Sequence, residues 1–434
     1  MAKKTNGDPT IVSPDSLDPR YNWNRAIPAP GHMAVDFEER VDFRRLHNYR
    51  LARSRQALKN SDLGAMLLFD TNNIRYVTST AIGEWSRDKM SRYALLAGDE
   101  EPHLWDFGSA ATHHRLHAPW LPSAQMHAGM LGLRGSVKPD AGLMRKAAEE
   151  IKQILVDAGV ADMPLGIDIV EPPMMYELQR QNLEVRDGQQ VMLDAREVKN
   201  IDEIVLLNQA AAMVDGVYQM ISEKMKPGVR ESDMVAEASK MLYEMGSEQI
   251  EAINAISGER CNPHPHNFTD RLFRPGDQAF FDIIHAYQGY RTCYYRTLNI
   301  GRATDSQNDA YKKAREWLDN AIDRIKPGAT TAHICEAFPK APEFGFPDET
   351  SAFGLQFAHG LGLALHERPI ISRVVSIDHP TEIKEGMVFA IETYCPATDG
   401  YSGARIEEEV VVTDKGCRVI TLFPGEELPI SARY

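Results

Sequence analysis

Two stretches decide how this chain is read. The first is Phe280-Phe-Asp282-Ile-Ile-His-Ala-Tyr-Gln-Gly-Tyr-Arg-Thr-Cys293-Tyr-Tyr-Arg296-Thr297. The second is Val388-Phe-Ala-Ile-Glu392-Thr-Tyr-Cys-Pro, then Asp399-Gly400, then Arg405-Ile-Glu407-Glu-Glu-Val-Val-Val. Each is a pair of β-prone runs joined by turn residues. Asp-Gly between apolar runs is the strongest short hairpin signal. Folding about Asp399-Gly400 sets Glu392 opposite Glu407. Folding the first pair about Tyr287-Gln288 sets Asp282 opposite Cys293. Opposed residues share a face, with Cβ atoms roughly 4.5–5.5 Å apart. Two facing glutamates repel unless a cation neutralises them. That cation is either a bound metal or a basic neighbour such as Arg405. Among these oxygen donors Cys293 is the outlier, a soft thiol among hard ligands.

Working outward, Lys226-Pro227-Gly228 and Lys326-Pro327-Gly328 stand 100 positions apart. Each reads as a helix stop. The first ends a helix from about Ile201 to Met225. Helices Asp233–Met245 and Thr331–Phe338 follow the two stops, and each then leads into one of the strand pairs. The matching order predicts two related halves in residues 196–434. Residues 41–195 read as an α/β domain. Its expected elements are a helix from Phe43, strands at Ala65–Phe69, Ile74–Thr78, Tyr93–Leu96 and Leu165–Ile169, and a helix over Ala141–Ala158. Residues 1–40, rich in Pro, Asp and Asn, read as an extended arm or a disordered tail.

The 434 residues carry a formal net charge of −14, which argues against nucleic acid as the main partner. No apolar leader follows Met1, and no run of 18 apolar residues is present, so neither secretion nor a membrane span is expected. The five cysteines are scattered and odd in number. That excludes a disulfide framework and predicts a reducing, cytoplasmic compartment.

Histidines complete the set of candidate site residues. Ala358-His359-Gly-Leu-Gly-Leu-Ala-Leu-His366-Glu-Arg-Pro369 holds two histidines seven apart, with glycines that let the backbone pass close to a site. His264 and His266 lie in Asn-Pro-His-Pro-His-Asn. Histidine titrates near neutrality and suits acid–base work.

Together these residues resemble the pita-bread family, which contains methionine aminopeptidase, Xaa-Pro aminopeptidase, prolidase and creatinase. The closer likeness is to its creatinase-type two-domain branch, which includes dimethylsulfoniopropionate lyase. The family pattern Asp-x10-Asp-x2-Arg-Thr is met at Asp282 and at Arg296-Thr297, with Cys293 at the second Asp. His-Gly-x-Gly…His-Glu-x-Pro is met at His359, His366 and Pro369. The two family glutamates fall on Glu392 and Glu407, and the substrate-facing histidine falls on His264. The resemblance implies an α+β protein: a C-terminal pita-bread fold in two related halves, preceded by an α/β creatinase-type domain. It implies a ligand set of Asp282, Cys293, His359, Glu392 and Glu407 around one divalent ion (Fe, Mn, Zn or Co). A metal-free enzyme with Cys293 as nucleophile is the other possibility. A homodimer is implied as well.

The expected function is cleavage of a C–N or C–S bond in a small zwitterion, by hydrolysis or β-elimination. His264 or His366 would move protons, and Glu392 or Glu407 would orient water. Arg405 would hold a substrate carboxylate, while Trp85 and Tyr295 would face an onium group. Two alternatives stand beside it: a metal-dependent Xaa-Pro dipeptidase or aminopeptidase, and a catalytically inactive binding module of the same fold.

Overall fold

The computed structural model describes residues 41–83, 88–132 and 135–433. The proposed N-terminal arm and Trp85 lie outside these residues. The chain divides into two compact units, 1–195 and 196–434.

The first unit is built on one six-stranded sheet. Its helices are α1 (Phe43–Lys59), α2 (Thr71–Thr78), α3 (Gly108–His117), α4 (Leu143–Asp157), α5 (Pro172–Arg180) and α6 (Gln189–Arg196). Its strands are β1 (Ala65–Leu68), β2 (Tyr93–Ala97), β3 (His103–Asp106), β4 (Met126–Ala128), β5 (Leu165–Ile167) and β6 (Val185–Asp187), in the order β4-β3-β2-β1-β5-β6. One expectation fails here. Ile74–Thr78 is not a strand but the second half of α2. The Asp70 carboxylate accepts from Asn72 N and Asn73 N, which caps the helix. Asp168 then accepts from Phe69 N and Asp70 N at 2.8 and 2.9 Å, which fixes the strand-to-helix corner.

The second unit repeats one pattern twice. The first half runs α7 (Ile201–Lys224), α8 (Glu231–Glu244), β7 (Gln249–Ser257), β8 (Gln278–Tyr287) and β9 (Tyr290–Ile300). The second runs α9 (Asp305–Ile322), α10 (Thr331–Cys335), β10 (Phe357–Gly360), β11 (Glu367–Ile371), β12 (Val388–Pro396) and β13 (Gly403–Val412), with β14 (Cys417–Val419) and β15 (Ile430–Ser431) at the end. The sheets are β15-β9-β8-β7 and β11-β10-β12-β13-β14. Both Lys-Pro-Gly stops place glycine at positive φ, Gly228 at 90° and Gly328 at 82°. The residue two after each glycine forms an isolated bridge, Arg230 to Leu272 and Thr330 to Glu382. The second helix of the repeat is shorter than expected, ending at Cys335 rather than Phe338.

α7 holds no unbroken apolar run, since Asn208, Gln209 and Asp215 interrupt it. By length and composition it is able to cross a membrane. Its Met213, Val214, Val217, Tyr218 and Ile221 are instead packed against Ile253, Phe281, Ile283 and Tyr294 of the first-half sheet, so it is a core helix.

Where the two halves meet, side chains stitch β9 to β13. Thr297 Oγ1 donates to Arg405 O (2.6 Å) and accepts from Arg405 N (2.9 Å). Arg296 donates to Glu407 O and pairs with Glu408 at 2.8 Å. Thr292 Oγ1 and Cys293 N both donate to Glu409 Oε1 at 2.6 Å. These bonds satisfy buried polar groups that would otherwise cost free energy, and they set the spacing between the acids of the two halves.

Candidate active site

The β12–β13 register is the one the Asp-Gly hairpin predicts, with Glu392 opposite Glu407. The β8–β9 register differs. Asp282 lies opposite Tyr295, and Cys293 lies opposite Ile284. The turn is centred on Gln288-Gly289, with φ of 50° at Gln288 and of 86° at Gly289, where a two-residue hairpin requires positive φ. This moves the pairing by two residues. A slip of two keeps every side chain on its face, whereas a slip of one reverses the strand. Cys293 therefore still meets Asp282, diagonally, with Sγ 3.5 Å from Oδ1.

Three donors from three strands come together. Cys293 on β9, His359 on β10 and Glu407 on β13 place Sγ, an imidazole nitrogen and a carboxylate oxygen within 4.8 Å of one another, and all three residues are buried. Sγ is 3.9 Å from Glu407 Oε2, and His359 Nε2 is 3.9 Å from Glu407 Oε1. His359 Nδ1 donates to Gly360 O at 3.1 Å, which leaves the Nε2 lone pair facing the carboxylate. Burial, and after it His366, lowers the His359 pKa to about 4, so the ring is neutral and able to ligate. Glu407 Oε1 is buried without a hydrogen-bond partner. A divalent ion fits this gap. Thiolate, imidazole and carboxylate together favour zinc, cobalt or ferrous iron over a harder ion.

The other two proposed ligands are placed differently. Asp282 is beside the cluster, accepting from Asn254 Nδ2 at 2.9 Å and from the Cys293 thiol. Glu392 is in short contact with Arg405 Nη2. Both alternatives for relieving the Glu392–Glu407 repulsion are thus present: Arg405 neutralises one glutamate, and a metal fits beside the other. The Arg405 guanidinium also lies 4.4 Å from the Tyr295 ring centroid and donates to Gly354 O at 2.6 Å. Its Nε and Nη1 are buried without protein partners.

His264 sits among Phe280, Tyr295 and Tyr394. Burial first, then Arg405, lowers its pKa to about 2, so it is neutral. Its Nδ1 is bonded to Pro265 O, and Nε2 is left without a partner. His366 is exposed, with its ring 4.6 Å from that of His359. The loop carrying it is tied down at both ends. Arg291 N donates to Gly362 O at 2.9 Å, and Ala364 N donates to Glu367 Oε1 at 3.0 Å. Glu367 is itself paired with Lys199 at 3.0 Å.

Sequence reading did not single out Glu409 or Asn254. Glu409 had a usable signal, since it stands two residues after Glu407 and so shares its face. Asn254 had none, because its meeting with Asp282 depends on the β7–β8 register.

Burial raises all three site carboxyls. Asp282 rises against the pull of Asn254. Glu392 rises to about 8 despite Arg405. Glu407 is raised well above the usual range by burial and then by Glu392. Each acid therefore binds its proton more tightly folded than unfolded. The resulting penalty is absent below the unfolded values and complete above the folded ones. Metal-free protein is accordingly expected to lose stability as pH rises from about 4.5 to about 8. Urea midpoints of chelator-treated protein across that range check this, and added divalent metal should flatten the profile.

With this geometry in view, comparison with known proteins identifies the fold. Residues 205–414 match metallopeptidase family M24. That match lies within the second unit. A dimethylsulfoniopropionate lyase from Roseovarius nubinhibens is 26% identical over 401 residues, 88% of this chain and 87% of the lyase. An Xaa-Pro dipeptidase from Pyrococcus furiosus is 28% identical over 290 residues, 65% of this chain and 79% of the dipeptidase. A solved Xaa-Pro dipeptidase from Bacillus anthracis superposes with a TM-score of 0.70 at 22% identity, covering 88% of this chain and 99% of that one. That last likeness bears on the fold. The chain is thus similar both to a lyase and to dipeptidases, and the matching family is one of metallopeptidases.

Proposed function

We propose that this chain is a non-peptidase M24 enzyme that cleaves a C–N or C–S bond in a small zwitterionic molecule. It would hold one divalent ion among Cys293, His359 and Glu407, with Asp282 alongside. The carrying observation is that a thiol and a guanidinium stand within the acid set: Cys293 lies against Asp282, and Arg405 engages Glu392. In the family pattern that these residues resemble, the second Asp helps bridge two metals, and a thiol is softer and offers no second oxygen for that role. The likeness to a lyase over most of both chains supports the same reading.

When bound, the ion would polarise a substrate oxygen or lower the pKa of a bound water. The chain's own groups do the rest. His366, exposed and beside His359, would take or give the proton at the reacting centre. His264 Nε2, neutral and without a protein partner, would accept from the substrate. Arg405 Nε and Nη1 would bind its carboxylate. We place the enzyme in a reducing, cytoplasmic compartment, in keeping with five unpaired cysteines, and expect it to act as a homodimer.

The second reading, an Xaa-Pro dipeptidase, is favoured by the retained Asp282, His359, Glu392 and Glu407 and by the Pyrococcus relative. Cobalt loading separates the two. Our reading predicts about one Co²⁺ per chain and a near-ultraviolet thiolate-to-cobalt charge-transfer band that Cys293→Ser removes. Two ions per chain, no such band and rapid Xaa-Pro hydrolysis would overturn it.

A further inference from the structure

The amide of Cys293 finds no partner within its own sheet. Tyr287 and Tyr290 close the β8–β9 hairpin as a bonded pair, and bonded and non-bonded pairs alternate outward from them. Ile284 and Cys293 fall on a pair that exchanges no ladder bonds, so Cys293 N–H points away from β8. On that side β9 is met by β15, but at Asn299 and Ile300. A buried N–H left open there would cost free energy. Glu409, from the other half, meets it. Its Oε1 accepts from Cys293 N and from Thr292 Oγ1, each at 2.6 Å.

Two residues of β13 thus set both ends of one cysteine. Glu409 holds its amide, and Glu407 faces its thiol at 3.9 Å. Glu409 is itself fixed in place. Its N donates to Thr421 Oγ1 at 3.2 Å, and its carbonyl accepts from Ile420 N at 2.9 Å. Its cross-strand partner is Ala390, and the next residue across the sheet is His359, so the same row ends on another member of the cluster. The contact to β9 uses one acceptor oxygen, because Oε2 is buried without a partner. One acceptor suffices whether or not the carboxyl, raised by burial to about 8, keeps its proton beside a bound ion.

We infer that Glu409 is a positioning residue for Cys293, fixing where the thiol stands at the site by its reach and its one acceptor atom rather than by its charge. This rests on the one-ion reading above and deepens it, since the two halves of the domain then share the placing of a single ligand. A displaced anchor of this kind weakens metal binding by about 10–100-fold.

Cobalt titration of the full chain tests this, read by affinity and by the thiolate-to-cobalt band, with no turnover required. Three variants separate reach from charge. Glu409→Gln keeps length and acceptor and should match wild type in both readouts. Glu409→Met keeps length and loses the acceptor, while Glu409→Asp keeps the carboxyl and loses the reach. Both should bind cobalt about tenfold or more weakly, with a shifted or weakened band. A weakened Glu409→Gln, or a Glu409→Met or Glu409→Asp that matches wild type, would overturn the inference. Glu409→Asp leaves a carboxyl in place, so it decides the matter even where Glu409→Met fails to fold. Failure of the one-ion reading shows in wild type itself, as two ions per chain and no band, before any variant is compared.

Discussion

Glu407→Gln is expected to abolish metal binding and lower turnover by about 10³-fold or more, a loss of roughly 4 kcal/mol in transition-state stabilisation. Glu407 is the member of the cluster that faces both His359 and Cys293, at 3.9 Å each, and its Oε1 has no other partner. Glutamine keeps the shape but loses the charge that draws a cation and balances it. The metal-free variant should move the opposite way in stability. Its wild-type carboxyl is buried near Glu392 and Asp282 and is raised well above the ordinary range. Removing it relieves that strain at neutral pH, so the apo variant should unfold at higher urea than apo wild type. Elemental analysis with paired apo and metal-loaded urea curves reads both effects. A variant that binds metal normally would show that the ion sits elsewhere.

Cys293→Asp should raise bound divalent metal from about one to about two ions per chain and bring out Xaa-Pro dipeptide hydrolysis. Aspartate at 293 supplies the second bridging oxygen that a thiol lacks. It also removes the sulfur, so the charge-transfer band of the cobalt form should disappear. The metal-free form should weaken, because another carboxyl joins Asp282, Glu392 and Glu407 in a buried group. Elemental analysis and a dipeptide assay on the same preparation check the result. Unchanged metal content with no new activity would mean that Arg405 on Glu392, and not the thiol, limits the site to one ion.

Much of the catalytic half was legible along the chain because strand chemistry has a period of two. The spacing of Asp282 and Cys293, and of Glu392 and Glu407, assigns faces without any knowledge of neighbours. The Asp-Gly signal gave the β12–β13 register correctly. The β8–β9 turn lies one residue beyond the Tyr287-Gln288 turn that the spacing predicts, because Gln288 adopts positive φ beside Gly289. The site survived that error because a shift of two leaves faces unchanged. Ile74–Thr78 was less forgiving. Its short alternation fits strand or helix equally, and the cap on Asp70 together with Asp168, about a hundred residues away, decides for helix.

Sequence by itself determined the donor types, the faces they occupy and the two-fold repeat that carries them, since local periodicity and turn residues act within each hairpin. Only the tertiary structure decided which donors meet. Cys293, His359 and Glu407 come from three strands in two halves, and their approach depends on long-range stitches such as Thr297 to Arg405 and Thr292 to Glu409. The Arg405 contact to Glu392, by contrast, lies within the β12–β13 hairpin. Cross-half distances such as that from Cys293 to Glu407 have no counterpart in spacing along a chain, because they follow from how the two sheets pack against each other.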